Sequence, residues 1–267
     1  MNITQTQPAD TATRSIMQRV AIILAVFLQI GSTFLPSLGI GEQIGSRSDD
    51  VRTLITPVGW AFSIWGLLYL GSMLFAVYQA LPAQKSNRLL GSIGWFAAAA
   101  FAGNGIWALY TQSSALTFIS VIIIATSLFC LLAIYRRFVA QERGFTAGER
   151  WLAVLPLSAL AAWLSAATIV NIAAALKYYG WAPEGGTPAL AAAIVLVGGV
   201  IASLAIWRGR GNPFYSIVFL WALFGIYSAG GQSAGVITYA AIGSAVLVIV
   251  SCVAKLSDRA NRKHWFG

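Results

Sequence analysis

Long apolar runs separated by short polar segments make up most of this chain. A helix needs about 20 apolar residues to cross a bilayer, and the sequence contains eight runs of about that length. They cover roughly residues 20–40, 57–80, 89–110, 115–135, 151–176, 188–207, 213–230 and 235–254. A lone strand would leave backbone groups unpaired in hydrocarbon, so each spanning segment has to be a helix. The pattern predicts an all-α integral membrane protein with eight transmembrane helices.

Composition agrees with this assignment. Of the 267 residues, 58% are hydrophobic and only 9% are charged, whereas a soluble domain carries about 25% charged residues. The deficit excludes a protein whose whole surface faces water. Gly and Ala are frequent in the apolar runs, which favours close packing of helices in lipid.

The basic residues follow the connections in an ordered way. Fourteen of the seventeen Lys and Arg fall on the side of the two termini, while Arg47, Arg52 and Lys177 fall on the other side. The positive-inside rule then puts both termini in the cytoplasm. This explains the net charge of +9 without nucleic acid, which we do not expect as a partner. Our prediction for the location is a bacterial cytoplasmic membrane, and the lipid bilayer is the first predicted partner.

Asp, Glu, Lys, Arg and His are absent from all eight runs. Ion-driven carriers usually keep one in the membrane, so the sequence argues against an active transporter and against hydrolysis by a buried acid–base pair. Cys130 and Cys252 lie within apolar runs, without a metal-binding motif. The single histidine, His264, is expected to be solvated in the C-terminal tail. We predict a protein that is not an enzyme and holds no metal.

Indole and amide side chains are the remaining chemistry within the membrane. With a rise of about 1.5 Å per residue, Trp60, Trp65, Asn104, Trp107 and Asn171 fall in the half of the bilayer opposite the termini, and Trp163 falls near the middle. The spacing also puts Asn104 and Trp107 on one face of the third run, and Trp163, Ala167 and Asn171 on one face of the fifth. They suggest a pocket for a flat molecule. The alternatives are an interfacial aromatic belt and amide hydrogen bonds that join helices.

The second run carries a family resemblance. Residues 56–78, TPVGWAFSIWGLLYLGSMLFAVY, resemble the second helix of the TspO/MBR family, the tryptophan-rich sensory proteins related to the mitochondrial translocator protein. The shared positions are Pro57, Gly59, Trp60, Phe62, Trp65, Leu68 and Tyr69. GNGIWALY (103–110) and LPLSALAAWLSAATIVN (155–171) resemble the family's third and fifth helices, in the same order.

The resemblance implies a five-helix TspO-like bundle plus three additional helices. The predicted divisions are an N-terminal tail (1–17), the five-helix unit (18–176), the extra helices (177–254) and a basic cytoplasmic tail (255–267). The ligand pocket would lie beneath the loop of residues 41–56. Its predicted residues are Trp60, Phe62, Trp65, Tyr69, Asn104, Trp107, Trp163, Ala167 and Asn171.

The function expected from this resemblance is binding or sensing of a flat, hydrophobic small molecule, with a tetrapyrrole as the first candidate. A porphyrin or haem would be a ligand, and no cofactor would be required. Three alternatives stay open: a facilitative carrier of such a ligand, a structural partner in a homodimer or larger membrane complex, and light-dependent porphyrin breakdown.

Overall fold

Eight long helices make up most of the part of the chain that the structure describes, and they fall where the apolar runs predict them. The computed structural model describes residues 13–181 and 187–267; residues 1–12 of the predicted tail lie outside this description. The helices are α1 Ile16–Leu38, α2 Gly59–Ala80, α3 Arg88–Ser113, α4 Phe118–Ala140, α5 Ala147–Tyr178, α6 Pro188–Arg208, α7 Pro213–Gly231 and α8 Gly235–Leu256. The described ranges contain no strand. The prediction of an all-α integral membrane protein is confirmed.

Polar residues in the short connections start several of the helices. Asn87 accepts a hydrogen bond from the Leu90 amide at the start of α3, and Asn212 accepts from two amides at the start of α7. Thr117 and Thr187 cap α4 and α6 in the same way. The first backbone amides of a helix have no partner within it, so these side chains stabilise the ends.

Four of the helices are not regular along their whole length. Helix α1 ends in a 3₁₀ segment, Ser32–Leu38, which contains Pro36. The first α2 residues, Gly59–Ser63, form a 3₁₀ turn, and the α-helix proper begins at Ile64. Helix α5 contains a π segment at Arg150–Val154, and α7 ends in another at Tyr227–Gly231. Trp60 therefore lies in a 3₁₀ turn instead of an α-helix, which changes the direction of its side chain.

Helix α5 connects the two parts of the bundle. The first five helices pack side by side in the order α2, α1, α3, α4, α5, and α5 also contacts α2. On its other side α5 contacts α7. Helices α6 and α8 form a close pair beside α7. Small residues allow the close crossings. At Gly199 of α6, an added Cβ would lie 2.3 Å from Ser244 Oγ of α8, and that hydroxyl donates to the Val195 carbonyl at 3.1 Å.

The connection between α1 and α2 covers one end of the bundle, which we call the loop side. It contains a short helix, Ile44–Asp50, which we call the loop helix. The Val58 amide donates to the Gly225 carbonyl of α7 at 3.0 Å. A Cβ added to Gly230 of α7 would lie only 1.7 Å from the Leu54 carbonyl oxygen. The loop is therefore seated directly on α7, one of the three additional helices.

The opposite end, where α1 begins and α8 ends, is the basic side, and a short tail helix (Arg259–Phe266) packs against it. His264 is only 5% exposed. Its Nε2 donates to the Phe138 carbonyl at 3.1 Å, and the neighbouring Trp265 donates to the Arg210 carbonyl at 3.0 Å. The expectation of a solvated His264 is wrong, because the tail folds back as an amphipathic helix. Which side faces the cytoplasm stays a prediction.

Candidate ligand-binding site

A small cavity lies beneath the loop helix, among α2, α3 and α5. Its volume is about 40 Å³. The wall consists of Ile44, Ser48, Pro57, Phe62, Trp65, Trp107, Leu116, Trp163, Ala166, Ala167, Val170, Asn171 and Ala174. Six of the nine residues predicted for the site are therefore together in one wall: Phe62, Trp65, Trp107, Trp163, Ala167 and Asn171.

Four aromatic rings form the deep part of this wall. Trp65 stacks on Trp107, with centroids 6.4 Å apart and ring planes 24° apart. Trp163 meets Trp65 edge to face at 6.0 Å and 85°, and Phe62 meets Trp163 at 6.0 Å and 87°. Such offset and perpendicular contacts each add about 0.5–1.5 kcal/mol to ordinary apolar burial. The rings hold one another at fixed angles and give this part of the wall an aromatic lining.

Asn171 of α5 fixes the position of one of these rings. Its Oδ1 accepts from Trp107 Nε1 at 3.1 Å and from Ser120 Oγ at 3.4 Å. Its Nδ2 donates to the Ala167 carbonyl at 2.9 Å. The amide thus joins α5 to α3 and α4, as in the alternative that the sequence left open. Asn171 lies in the wall, but its hydrogen bonds are made within the protein.

Trp163 differs from Trp107 in having no such partner. Its side chain is 3% exposed, and its Nε1 has no hydrogen-bond acceptor within residues 13–181 and 187–267. An unpaired buried donor costs about 1–3 kcal/mol. A guest with a lone pair that enters the cavity would relieve this penalty.

A comparison with known protein families places the chain. A family model described as "TSPO-like protein" matches residues 15–254. The chain belongs to this family. The match runs through all eight helices, beyond the part that carried the resemblance in the sequence. Comparisons with curated proteins and with solved structures gave no match.

Three predicted site residues of this TSPO-like protein lie outside the cavity wall. Trp60 is 44% exposed and contacts α7, with its ring 5.1 Å from that of Trp221. Tyr69 stacks behind Trp65 at 5.3 Å, one turn deeper in α2. Asn104 is buried elsewhere among the helices. The expectation that all nine residues gather around one void is corrected accordingly.

The reasons for these differences are local geometry and an unforeseen neighbour. The Val58 and Trp221 hydrogen bonds attach the 3₁₀ turn to α7; the second runs from Trp221 Nε1 to the Ala61 carbonyl at 2.9 Å. Trp60 is therefore turned toward α7. Asn104 precedes Trp107 by three residues, which is about 4.5 Å along the axis and about 60° around it. That offset is enough to take its amide out of the wall.

The wall also contains residues that sequence reasoning missed. Ala166, Val170 and Ala174 recur on the α5 face of Trp163 and Asn171, so extending the 3–4 spacing would have found them. Ile44 and Ser48 belong to the loop helix. That helix is polar and seven residues long, and carries no apolar period that would have marked its inner face. Among the described residues, no group of three His, Cys, Asp or Glu side chains is placed to hold a metal.

Proposed function

We propose that this TSPO-like protein binds a flat, hydrophobic ligand in the aromatic cavity, and that a tetrapyrrole is the first candidate. The observation that carries the proposal is the buried, unpartnered Nε1 of Trp163 in a wall of aromatic rings. The aromatic lining supplied by Trp65, Trp107, Trp163 and Phe62 suits a planar, apolar ring. The indole N–H of Trp163 suits an acceptor at its edge, such as a porphyrin carboxylate.

The size of the cavity sets a condition on this proposal. A volume of about 40 Å³ holds only a few water-sized molecules, whereas sites for ligands of drug size are about 300–1,000 Å³. A tetrapyrrole can therefore bind only when the cover moves. We propose that the loop helix is this cover, because it supplies Ile44 and Ser48 to the wall.

Few bonds hold the loop helix to the spanning helices, and one is the bond from the Glu42 amide to the Gln112 carbonyl of α3 at 2.9 Å. Its ion pairs, Arg47 with Glu42 and Arg52 with Asp49, lie within the loop, and only Arg47 among the four side chains is partly buried. Such pairs contribute at most about 1 kcal/mol, and lifting the loop as a unit leaves them intact. The connection to α5 is one hydrogen bond from Lys177 Nζ to the Arg52 carbonyl at 2.6 Å.

The test is quenching of tryptophan fluorescence by protoporphyrin IX in detergent. We expect Trp163→Phe to weaken binding by at least about 2- to 12-fold, the range for one hydrogen bond, because phenylalanine keeps an aromatic ring but loses the indole N–H and part of the ring area. Trp95→Phe is the matched control, since Trp95 is exposed near the basic end of α3. Asn104→Ala should also leave the affinity unchanged.

Equal affinities for the wild type and for a Trp65→Phe, Trp163→Phe double variant would refute the proposed site. If the ligand binds as expected, its flux into sealed vesicles distinguishes carriage from sensing. A protein that binds without measurable flux would fit a sensor.

A further inference from the structure

A second and much larger space lies on the outside of the bundle, between α1 and α2. This groove has a volume of about 910 Å³. It follows α1 from Ile23 to Phe34, which is about 16 Å of helix, and its other wall is α2 near Met73 and Val77. Phe27 and Val77, 71% and 63% exposed, form its lips. The residues that line it are almost all apolar, so in a membrane the groove is open to lipid.

Cationic side chains stand where the groove meets the basic side. Arg19 lies one helical turn before Ile23, and its guanidinium donates to the carbonyl of Ala80, itself a lining residue. Arg14 is buried and donates to Gln79 Oε1 and to the Gln79 carbonyl, both at 2.9 Å. These bonds tie α1 to α2 at the mouth of the groove and hold the two guanidinium groups there.

No acid balances these charges within residues 13–181 and 187–267. The ion pairs there involve Arg47, Arg52 and Arg143. Arg19 Nε is buried and has no partner in the same part of the chain. Burial and the nearby charge of Arg19 lower the pKa of Arg14 to about 10. An anion at the mouth would relieve this repulsion and accept the free N–H.

We propose that the groove between α1 and α2 binds one acidic phospholipid from the leaflet on the basic side, with an acyl chain along the apolar wall and the phosphate at Arg19. The apolar length and the cationic end match the two parts of such a lipid. Basic pockets between transmembrane helices recognise anionic headgroups in this way. A zwitterionic lipid would leave part of the positive charge uncompensated.

A second copy of the chain fits the groove less well. Two copies in one membrane are related by an axis along the membrane normal, so a symmetric contact brings the same surface of each together. The arginine mouths would then approach each other without an intervening acid. Like charges in apposition oppose that contact.

The experiment counts lipids retained by the full-length protein. Native mass spectrometry after exchange into micelles containing dioleoyl phosphatidylglycerol or dioleoyl phosphatidylcholine gives the number of bound molecules. We expect one retained phosphatidylglycerol and at least about tenfold weaker retention of phosphatidylcholine. Arg19→Gln should remove this preference, because a hydrogen-bonded ion contact accounts for about tenfold or more. The control, Arg136→Gln, removes an exposed charge from α4 on the basic side of the bundle and should leave the preference for phosphatidylglycerol unchanged.

A second pair of variants tests the groove itself without touching the arginines. Val77→Trp fills the groove from its lip and should prevent retention, while Val197→Trp places the same ring on the lipid-facing surface of α6 and should not. Equal retention of the two lipids by the wild type would overturn the proposal. So would an Arg19→Gln variant that prefers phosphatidylglycerol as strongly as Arg136→Gln does. So would a Val77→Trp variant that keeps its lipid but loses a dimer present in the wild type.

Discussion

The contact between Gly230 and the loop gives a sharp prediction about the cover of the cavity. In Gly230→Ala the new Cβ would lie 1.7 Å from the Leu54 carbonyl oxygen, so the two must separate by at least about 1.3 Å to reach 3.0 Å. The backbone of Leu54 cannot rotate away as a flexible side chain would. Gly230 is helical and has no positive φ, so alanine brings a steric conflict without backbone strain. Overpacking of this kind costs about 1–3 kcal/mol.

The displacement should be visible both in stability and in access to the cavity. We expect the Tm in detergent to fall by about 2–10 °C, and quenching of tryptophan fluorescence by acrylamide to increase, because Pro57 and its neighbours in the loop form part of the wall. Gly45→Ala is the matched control. It lies in the loop helix, and its added Cβ would meet nothing within 4 Å.

The two measurements also test the proposed role of the loop as a cover. If Gly230→Ala loosens the loop, protoporphyrin IX should bind faster to the variant than to the wild type. If Gly230→Ala and Gly45→Ala had the same Tm and the same acrylamide quenching, the loop would not contact α7 as described.

Three further predictions concern other contacts. Asn171→Leu leaves Trp107 Nε1 without its acceptor and should destabilise the protein by about 1–3 kcal/mol, measured by thermal unfolding in detergent; an unchanged Tm would mean that this amide does not join the helices. Arg143→Gln removes two hydrogen bonds, of 2.8 and 2.5 Å, from the fully buried Glu149 carboxylate, and about 1.5–3 kcal/mol is expected to be lost. Adding Glu149→Gln should recover part of that loss, and no recovery would contradict the pairing. Burial and the nearby Arg210 charge lower the pKa of His264 to about 4, so the docked tail favours the neutral imidazole. Docking of the tail helix should therefore be complete above about pH 6.5, the ordinary pKa of histidine. It should weaken by at most about 3 kcal/mol as the pH falls toward 4. Relative to its cleavage of an unstructured peptide, trypsin should then cut the tail helix faster at pH 5 than at pH 7.5. In His264→Gln this relative rate should no longer depend on pH.

The parts of the structure that depend on local pattern were predictable from the sequence. All eight helices lie within a few residues of the apolar runs, because the length of an apolar run is set by the bilayer. Trp163, Ala167 and Asn171 share a wall because their spacing follows one helical period. Trp65 and Trp107 joined them because their depths, estimated from the helical rise, were similar.

The parts that depend on distant neighbours were not predictable in this way. Trp60 is directed by α7, about 160 residues later in the chain, and a resemblance confined to the first five helices offered no such neighbour. His264 is buried by contacts with Phe138 and Arg210, and no short sequence motif predicts these contacts. The size of the cavity depends on where the loop helix packs against α2, α3 and α5. The helical rise gives the depth of a residue along its own helix but not the distance between helices.

The hydrogen bond from Val58 to Gly225 has a consequence for how the two parts of the bundle communicate. A guest that raises the loop must stretch or break this bond, and the bond from Trp221 to Ala61 is only three residues away along α2. By thermodynamic reciprocity, a guest that favoured one tilt of α7 by some factor would bind more tightly to that tilt by the same factor. Bilayer thickness acts on the tilt of every spanning helix. If a ligand binds in the cavity as proposed, its affinity would therefore depend on the bilayer around α6 to α8.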